Sequence, residues 1–174
     1  EDREFEMLYG KENTYAFGHD CAVHWDYHSE KISEISTTFL PEYEIKRWDE
    51  TNFDVNIIPY TREAYSVGKY AFVSDYARFW IIYNYGGIYF DTDVEVIAKM
   101  EDIIGVGPFL AVEYQNVDKI TVNPGLGFGA IAKMPEIKDI MATYECSHFI
   151  NVDGSISYRN IVEITSEYLL ESGM

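Results

Sequence analysis

Residues 62–96 read REAYSVGKYAFVSDYARFWIIYNYGGIYFDTDVEV, and this stretch decides how the chain is built. From Arg62 to Tyr85 the letters predict one helix, the longest in the chain. Gly86 and Gly87 supply its stop, because glycine tolerates the left-handed backbone beyond a helix end. IYF (88–90) and VEVI (94–97) are strand-like on either side of two carboxylates, Asp91 and Asp93. Alone, an Asp-x-Asp in so acidic a chain reads as solvated charge. The glycine pair alters that reading, because a reversal there runs helix and strand back alongside each other. An extended chain covers roughly 13 Å from Gly87 to Asp91. The helix covers roughly 12 Å from Gly86 back to Arg78 and about 16 Å back to Asp75. Asp75 and Arg78, neighbours at i, i+3 on one helix face, therefore fall level with the doublet. A charged pair among bulky apolar residues is costly to bury without a partner or a role. A shared polar cleft is expected, against the plainer alternative of a surface ion pair.

Extended residues two apart project to one face, so Asp91 and Asp93 aim at one point if the strand continues through them. A tight turn would converge them equally well. Oxygen-only ligands suit hard cations such as Mg²⁺ or Mn²⁺, which retain open positions for phosphate oxygens. A calcium loop beginning at Asp91 fails at Val96, where glycine is required, and at Asp102, where the bidentate Glu should stand. An aspartyl-phosphate phosphatase would need Thr or Val at Glu95. A two-carboxylate glycosidase separates its acids by about 5 to 9.5 Å across a sugar ring, so adjacent same-face acids suit a metal better.

The remainder of the chain reads as strands mixed with helices, which indicates α/β. YEIKRWDE (43–50) alternates as a strand does, and TNFDVNIIPYT (51–61) is a loop or short turn. FLAVEYQ (109–115) is a strand, and NPGLGFGAIA (123–132) a glycine-rich turn entering another. MPEIKDIMATYE (134–145), with proline in its first turn, and residues 160–171 are helices. Residues 1–40 form a separate segment of strand and turn. His19, His24 and His28 in it read as packing or surface histidines rather than metal ligands.

The 174 residues fit one domain with a sizeable core. Fifteen Tyr among 16% aromatics suit either a ring-stacking cleft or a Tyr-rich core. The net charge of −17 argues against nucleic acid and against an anionic membrane surface, since no basic stripe exists to neutralise phosphate. An anionic substrate would need a cation as mediator. No apolar run is long enough for a membrane span, and no signal peptide opens the chain. Cys21 and Cys146, far apart and without ligand spacing, read as reduced thiols of a cytosolic protein.

KYAFVSDYARFWIIYNYGGIYFDTDVEV (69–96) resembles the D-x-D sugar-binding region of family 32 glycosyltransferases. That group includes bacterial capsular and lipopolysaccharide sugar transferases and fungal outer-chain mannosyltransferases. The later NPGLGFGAIAKMPEIKDIMATYE and FINVDGSIS resemble the bacterial members, so the likeness spans about residues 41–174 and leaves 1–40 unmatched. The resemblance implies a GT-A fold, a Rossmann-like nucleotide-sugar domain, here lacking a match to that fold's first strand and to its later C-terminal elements. It implies a retaining hexosyltransferase that uses Mn²⁺ or Mg²⁺, takes a UDP- or GDP-linked donor, and serves a glycan or lipid-linked sugar acceptor in polysaccharide synthesis. Such an enzyme would be cytoplasmic, or peripheral at the inner membrane face through partners.

Carried over by the same resemblance, Asp91 contacts donor sugar and ribose or shares the metal, and Asp93 binds the metal at the diphosphate. Asp75 and Arg78 hold sugar hydroxyls, making Asp75, Arg78 and Asp91 the catalytic set. Tyr89 flanks the donor, and Asn123 and Gly125 border the acceptor side. Two other readings share these letters: a non-catalytic nucleotide- or glycan-binding module, and a divalent-cation phosphohydrolase.

Overall fold

The computed structural model describes residues 46, 48–91, 94, 100–116 and 119–173. The segment 1–40 with its three histidines and Cys21, the doublet's second acid Asp93, and most of VEVI lie outside them. So does half of YEIKRWDE, of which the described Lys46, Trp48, Asp49 and Glu50 are not in a strand.

The long helix expected over 62–85 is two helices. Helix α1 runs Pro59–Ser66, and α2 runs Tyr70–Tyr85. Gly68 stands between them at φ +70°, a left-handed conformation that an α-helix cannot pass through. Pro59 opens α1, where its missing N–H is no loss, so the helix takes the last three residues of the stretch read as loop. Helix α2 is buried without a break from Val73 to Phe79 and again at Ile81 and Ile82. A helix apolar on most of its surface belongs in the middle of a core. Accordingly α2 packs against α1, against strands β1 (Gly87–Tyr89) and β5 (Phe128–Ala130), and against α4 (Pro135–Glu145). Phe79 meets Phe128 at 5.1 Å between ring centroids, and Phe128 meets Tyr89 at 5.6 Å. Helix, strand and neighbouring strand thus share one aromatic seam.

Gly86 ends α2 at φ +70°, its N–H donating to the Ile82 carbonyl at 2.8 Å. A Cβ there would stand 2.9 Å from the Ala132 backbone nitrogen, so close approach as well as conformation demands glycine. The short helix α3 (Glu101–Ile104) follows, then β2 (Phe109–Leu110), β3 (Val112–Asn116) and β4 (Lys119–Val122). Strands β1, β5 and β2 form one sheet in that order, antiparallel throughout. FLAVEYQ is therefore two strands broken at Ala111: β2 joins β5, while β3 pairs with β4 as a separate hairpin. The final helix α5 (Ile161–Ser172) starts at a capping box, with Asn160 accepting from the Glu163 N–H and Glu163 answering the Asn160 N–H. It docks on β4 through Ser166, whose hydroxyl receives the Val122 N–H at 3.1 Å. Both C-terminal helices stand where the letters predicted them.

Cys146 is a free, exposed thiol. Among the described residues no helix is long and apolar enough to cross a membrane.

Candidate functional site

The reversal at Gly86–Gly87 brings the middle of α2 to the end of β1. There the Arg78 guanidinium, 2% exposed, is gripped from several sides. Its Nη1 donates to Asp91 Oδ1 at 2.9 Å and its Nη2 to Asp75 Oδ1 at 3.0 Å. Nε donates to the Ser74 carbonyl at 3.2 Å. The guanidinium carbon sits 4.6 Å from the centre of the Tyr89 ring, and the Tyr89 hydroxyl donates to the same Asp91 Oδ1 at 2.7 Å. One cation thus bridges two carboxylates from different elements, with an aromatic face beneath it. Burial opposes the guanidinium's charge. The surrounding Tyr89, Asp75, Asp91 and Tyr144 outweigh it and hold the proton above arginine's ordinary value. Arg78 is a permanent cation.

β1 ends at Tyr89, so no strand continues into Asp91. The Asp91 N–H instead donates to the Gly125 carbonyl at 2.8 Å, and the Val94 N–H returns to the Asp91 carbonyl at 3.1 Å. NPGLGFG is therefore the wall facing Asp91. A Cβ on Gly125 would stand 2.0 Å from Asp91 Oδ2 and 3.1 Å from Asn123 Oδ1. The carboxylate and the Asn123 amide flank the same bare backbone carbon. Asn123 holds the turn by accepting the Gly125 N–H at 2.9 Å, and its Nδ2 donates to Glu113 Oε2 at 3.2 Å.

Behind Asp75 lies a floor of tyrosines. Tyr60 and Tyr144 pack edge to face at 5.2 Å, and Tyr144 meets Tyr76 at 6.0 Å. Among the described residues neither the Tyr60 nor the Tyr144 hydroxyl has a hydrogen-bond partner. Burial, and then the nearby Asp75, push both phenols above their usual range, so both are neutral.

Asp75, Arg78, Tyr89 and Asp91 thus meet in one cluster, and Asn123 and Gly125 form its rim. Asp93 lies outside the described residues. Among those residues no group of three or more His, Cys, Asp or Glu is arranged to hold a metal. Two participants had no signal in the letters. The Ser74 carbonyl is a backbone atom, and Glu113 reaches the cluster only because β3 and β4 pair.

The fold and cluster define a helix-and-sheet domain that presents cation-clamped carboxylates at the end of a strand. The family model described as "Glycosyltransferase sugar-binding region containing DXD motif" matches residues 20–110, more than half of the chain, and the chain belongs to that family. The match begins within the segment 1–40 and ends at Leu110, before the glycine-rich turn. No curated protein and no solved structure matches the chain.

Proposed function

We propose that this domain has the GT-A fold and is a metal-dependent retaining glycosyltransferase. It moves a hexose from a UDP- or GDP-linked donor to a hydroxyl of a glycan or lipid-linked acceptor. The observation that carries this reading is the bridge from Arg78 to both Asp75 and Asp91. Two carboxylates held by one buried cation are fixed acceptors, and fixed acceptors select among sugar hydroxyls by direction rather than by charge. In the transfer, the bond from the anomeric carbon to the diphosphate oxygen breaks. A bond to the acceptor oxygen forms on the same face of the sugar, and the acceptor hydroxyl's proton passes to the departing diphosphate.

The residues present fit a divalent cation. Asp91 Oδ1 is taken by Arg78 and Tyr89, while Oδ2 faces the space left by the missing Gly125 side chain. Asp91 Oδ2 and the Asp93 carboxylate are the oxygens proposed to hold Mn²⁺ or Mg²⁺, which when bound neutralises the diphosphate inside a chain of net charge −17. Arg78 orients Asp75 and Asp91 from behind, its Nε, Nη1 and Nη2 each donating to protein atoms. Asp75 and Asp91 accept donor hydroxyls, Tyr89 fixes Asp91 and flanks the donor, and Asn123 and Gly125 border the acceptor side.

Mn²⁺ with UDP or GDP should raise the melting temperature of the wild-type protein and leave Asp93→Ala unchanged. No shift at millimolar ligand would remove the donor-site reading. A screen of nucleotide sugars for Mn²⁺-dependent hydrolysis or transfer then identifies the donor. Turnover of simple phosphate esters that survives Asp75→Ala would indicate a phosphohydrolase instead.

A further inference from the structure

We propose that Glu113 is a positioning residue for Asp91, acting through Asn123 and Gly125. This rests on the donor-site reading above. Four residues from three segments, strand β3, the turn after β4 and the chain after β1, form one hydrogen-bonded series. Glu113, exposed on β3, accepts from Asn123 Nδ2 at 3.2 Å. Asn123 Oδ1 accepts the Gly125 N–H at 2.9 Å, and the Asn123 carbonyl accepts the Leu126 N–H at 3.1 Å, which closes the turn. The Gly125 carbonyl then accepts the Asp91 N–H at 2.8 Å. The side-chain amide is the point of control. It has one donor end and one acceptor end, and only the acceptor end can receive the Gly125 N–H. Glu113 is acceptor-only, so it draws Nδ2 to itself and leaves Oδ1 toward Gly125. With no acceptor at 113 the amide is free to turn, and a donor then opposes a donor at Gly125. The turn loosens, and with it the backbone from which Asp91 hangs.

The pairing β3–β4 builds this series into the fold. Val112 lies opposite Val122, so Glu113 is one residue along β3 and Asn123 one residue beyond β4. The Asn123 N–H donates to the Ala111 carbonyl at 2.9 Å, which holds the amide at that height. Losing a hydrogen bond made directly to a metal-binding group alters metal affinity by about 10- to 100-fold, and Glu113 acts from three hydrogen bonds away, so its effect falls at or below the lower end.

The test compares Glu113→Ala with Glu113→Gln in the full chain. Gln has no charge but retains an oxygen that accepts from Asn123, so it separates hydrogen bonding from simple attraction of a cation. The dissociation constant of Mn²⁺ is measured with UDP, and separately with GDP, from the paramagnetic resonance signal of free Mn²⁺. Exchange of the Asp91 amide hydrogen is followed in the unliganded protein. Glu113→Ala should weaken Mn²⁺ binding by up to about tenfold and speed exchange at Asp91, with Glu113→Gln restoring both toward wild type. Wild-type affinity and exchange in Glu113→Ala would overturn the proposal, as would Glu113→Gln behaving as badly as Ala. If wild type binds Mn²⁺ with neither nucleotide, the donor-site reading fails, and exchange at Asp91 alone decides whether Glu113 positions it.

Discussion

Arg78 shows how one side chain organises a site. Its guanidinium reaches both Asp75, at 3.0 Å, and Asp91, at 2.9 Å. Removing a buried partner leaves an uncompensated charge, which costs about 3–5 kcal/mol. Arg78→Ala should therefore lose stability on that scale in urea denaturation. A loss under about 1 kcal/mol would mean that the two carboxylates are not held by it. Gly125 fails differently, because the atom its Cβ would strike is the Asp91 carboxylate rather than the core. Gly125→Ala should cost about 1–3 kcal/mol from overpacking and abolish the melting-temperature rise with Mn²⁺ and UDP or GDP. A retained rise would show that Asp91 can move aside without loss. The alignment of Asp75, Arg78 and Asp91 was legible from rise per residue once Gly86–Gly87 was taken as a reversal. Glu113 was not legible, since its approach to Asn123 depends on which strands pair.

Two glycines frame α2, and each ends a helical stretch for a different reason. Gly68 separates α1 from α2 with φ +70° and nothing within 4 Å of a built Cβ. Gly68→Ala should therefore cost only the left-handed conformation, about 1–2 kcal/mol. Gly86 has the same φ but faces backbone at 2.9 and 3.3 Å, atoms that cannot rotate away. Gly86→Ala should be clearly more damaging, and equal losses in parallel thermal melts would contradict this account. The stop at Gly86 was readable because a second glycine and a strand pattern follow it. The break at Gly68 was not, because the hydrophobic letters continue across it and a single glycine inside such a run is often tolerated. The division of FLAVEYQ has the same origin. Its residues all suit a strand, and only the competition between β5 and β4 for partners splits them at Ala111.

Across the whole molecule, Glu63 ties α1 to the chain leaving α4. Its Oε2 accepts the Phe149 and Ile150 N–H groups at 2.9 and 3.0 Å, and Oε1 lies 2.7 Å from His148 Nδ1. Burial works against the carboxylate's charge, but the Ile150 N–H, His148 and the Phe149 N–H outweigh it and hold Glu63 below its ordinary value of 4.5. A carboxyl depressed in the fold contributes stability above its unfolded value, and that contribution is lost as pH falls through the folded one. Wild type should thus melt higher than Glu63→Gln at pH 7, with the gap closing only below about pH 4.5. A gap that persists unchanged at pH 3 would show that ionisation of Glu63 is not what joins these segments.

By itself the sequence determined the local order: a helical stretch, a glycine stop, a short strand and an acid, with two helices to follow. Those features follow from rise per residue, from glycine's freedom at positive φ and from proline's fitness for a first helical turn, all of which act between near neighbours. Tertiary structure alone decided how the site is closed. It set Arg78 between two carboxylates, laid the Gly125 backbone against Asp91, and brought Glu113 to Asn123 through strand pairing. These contacts join residues far apart in the chain, and they depend on which surfaces find each other when the core forms.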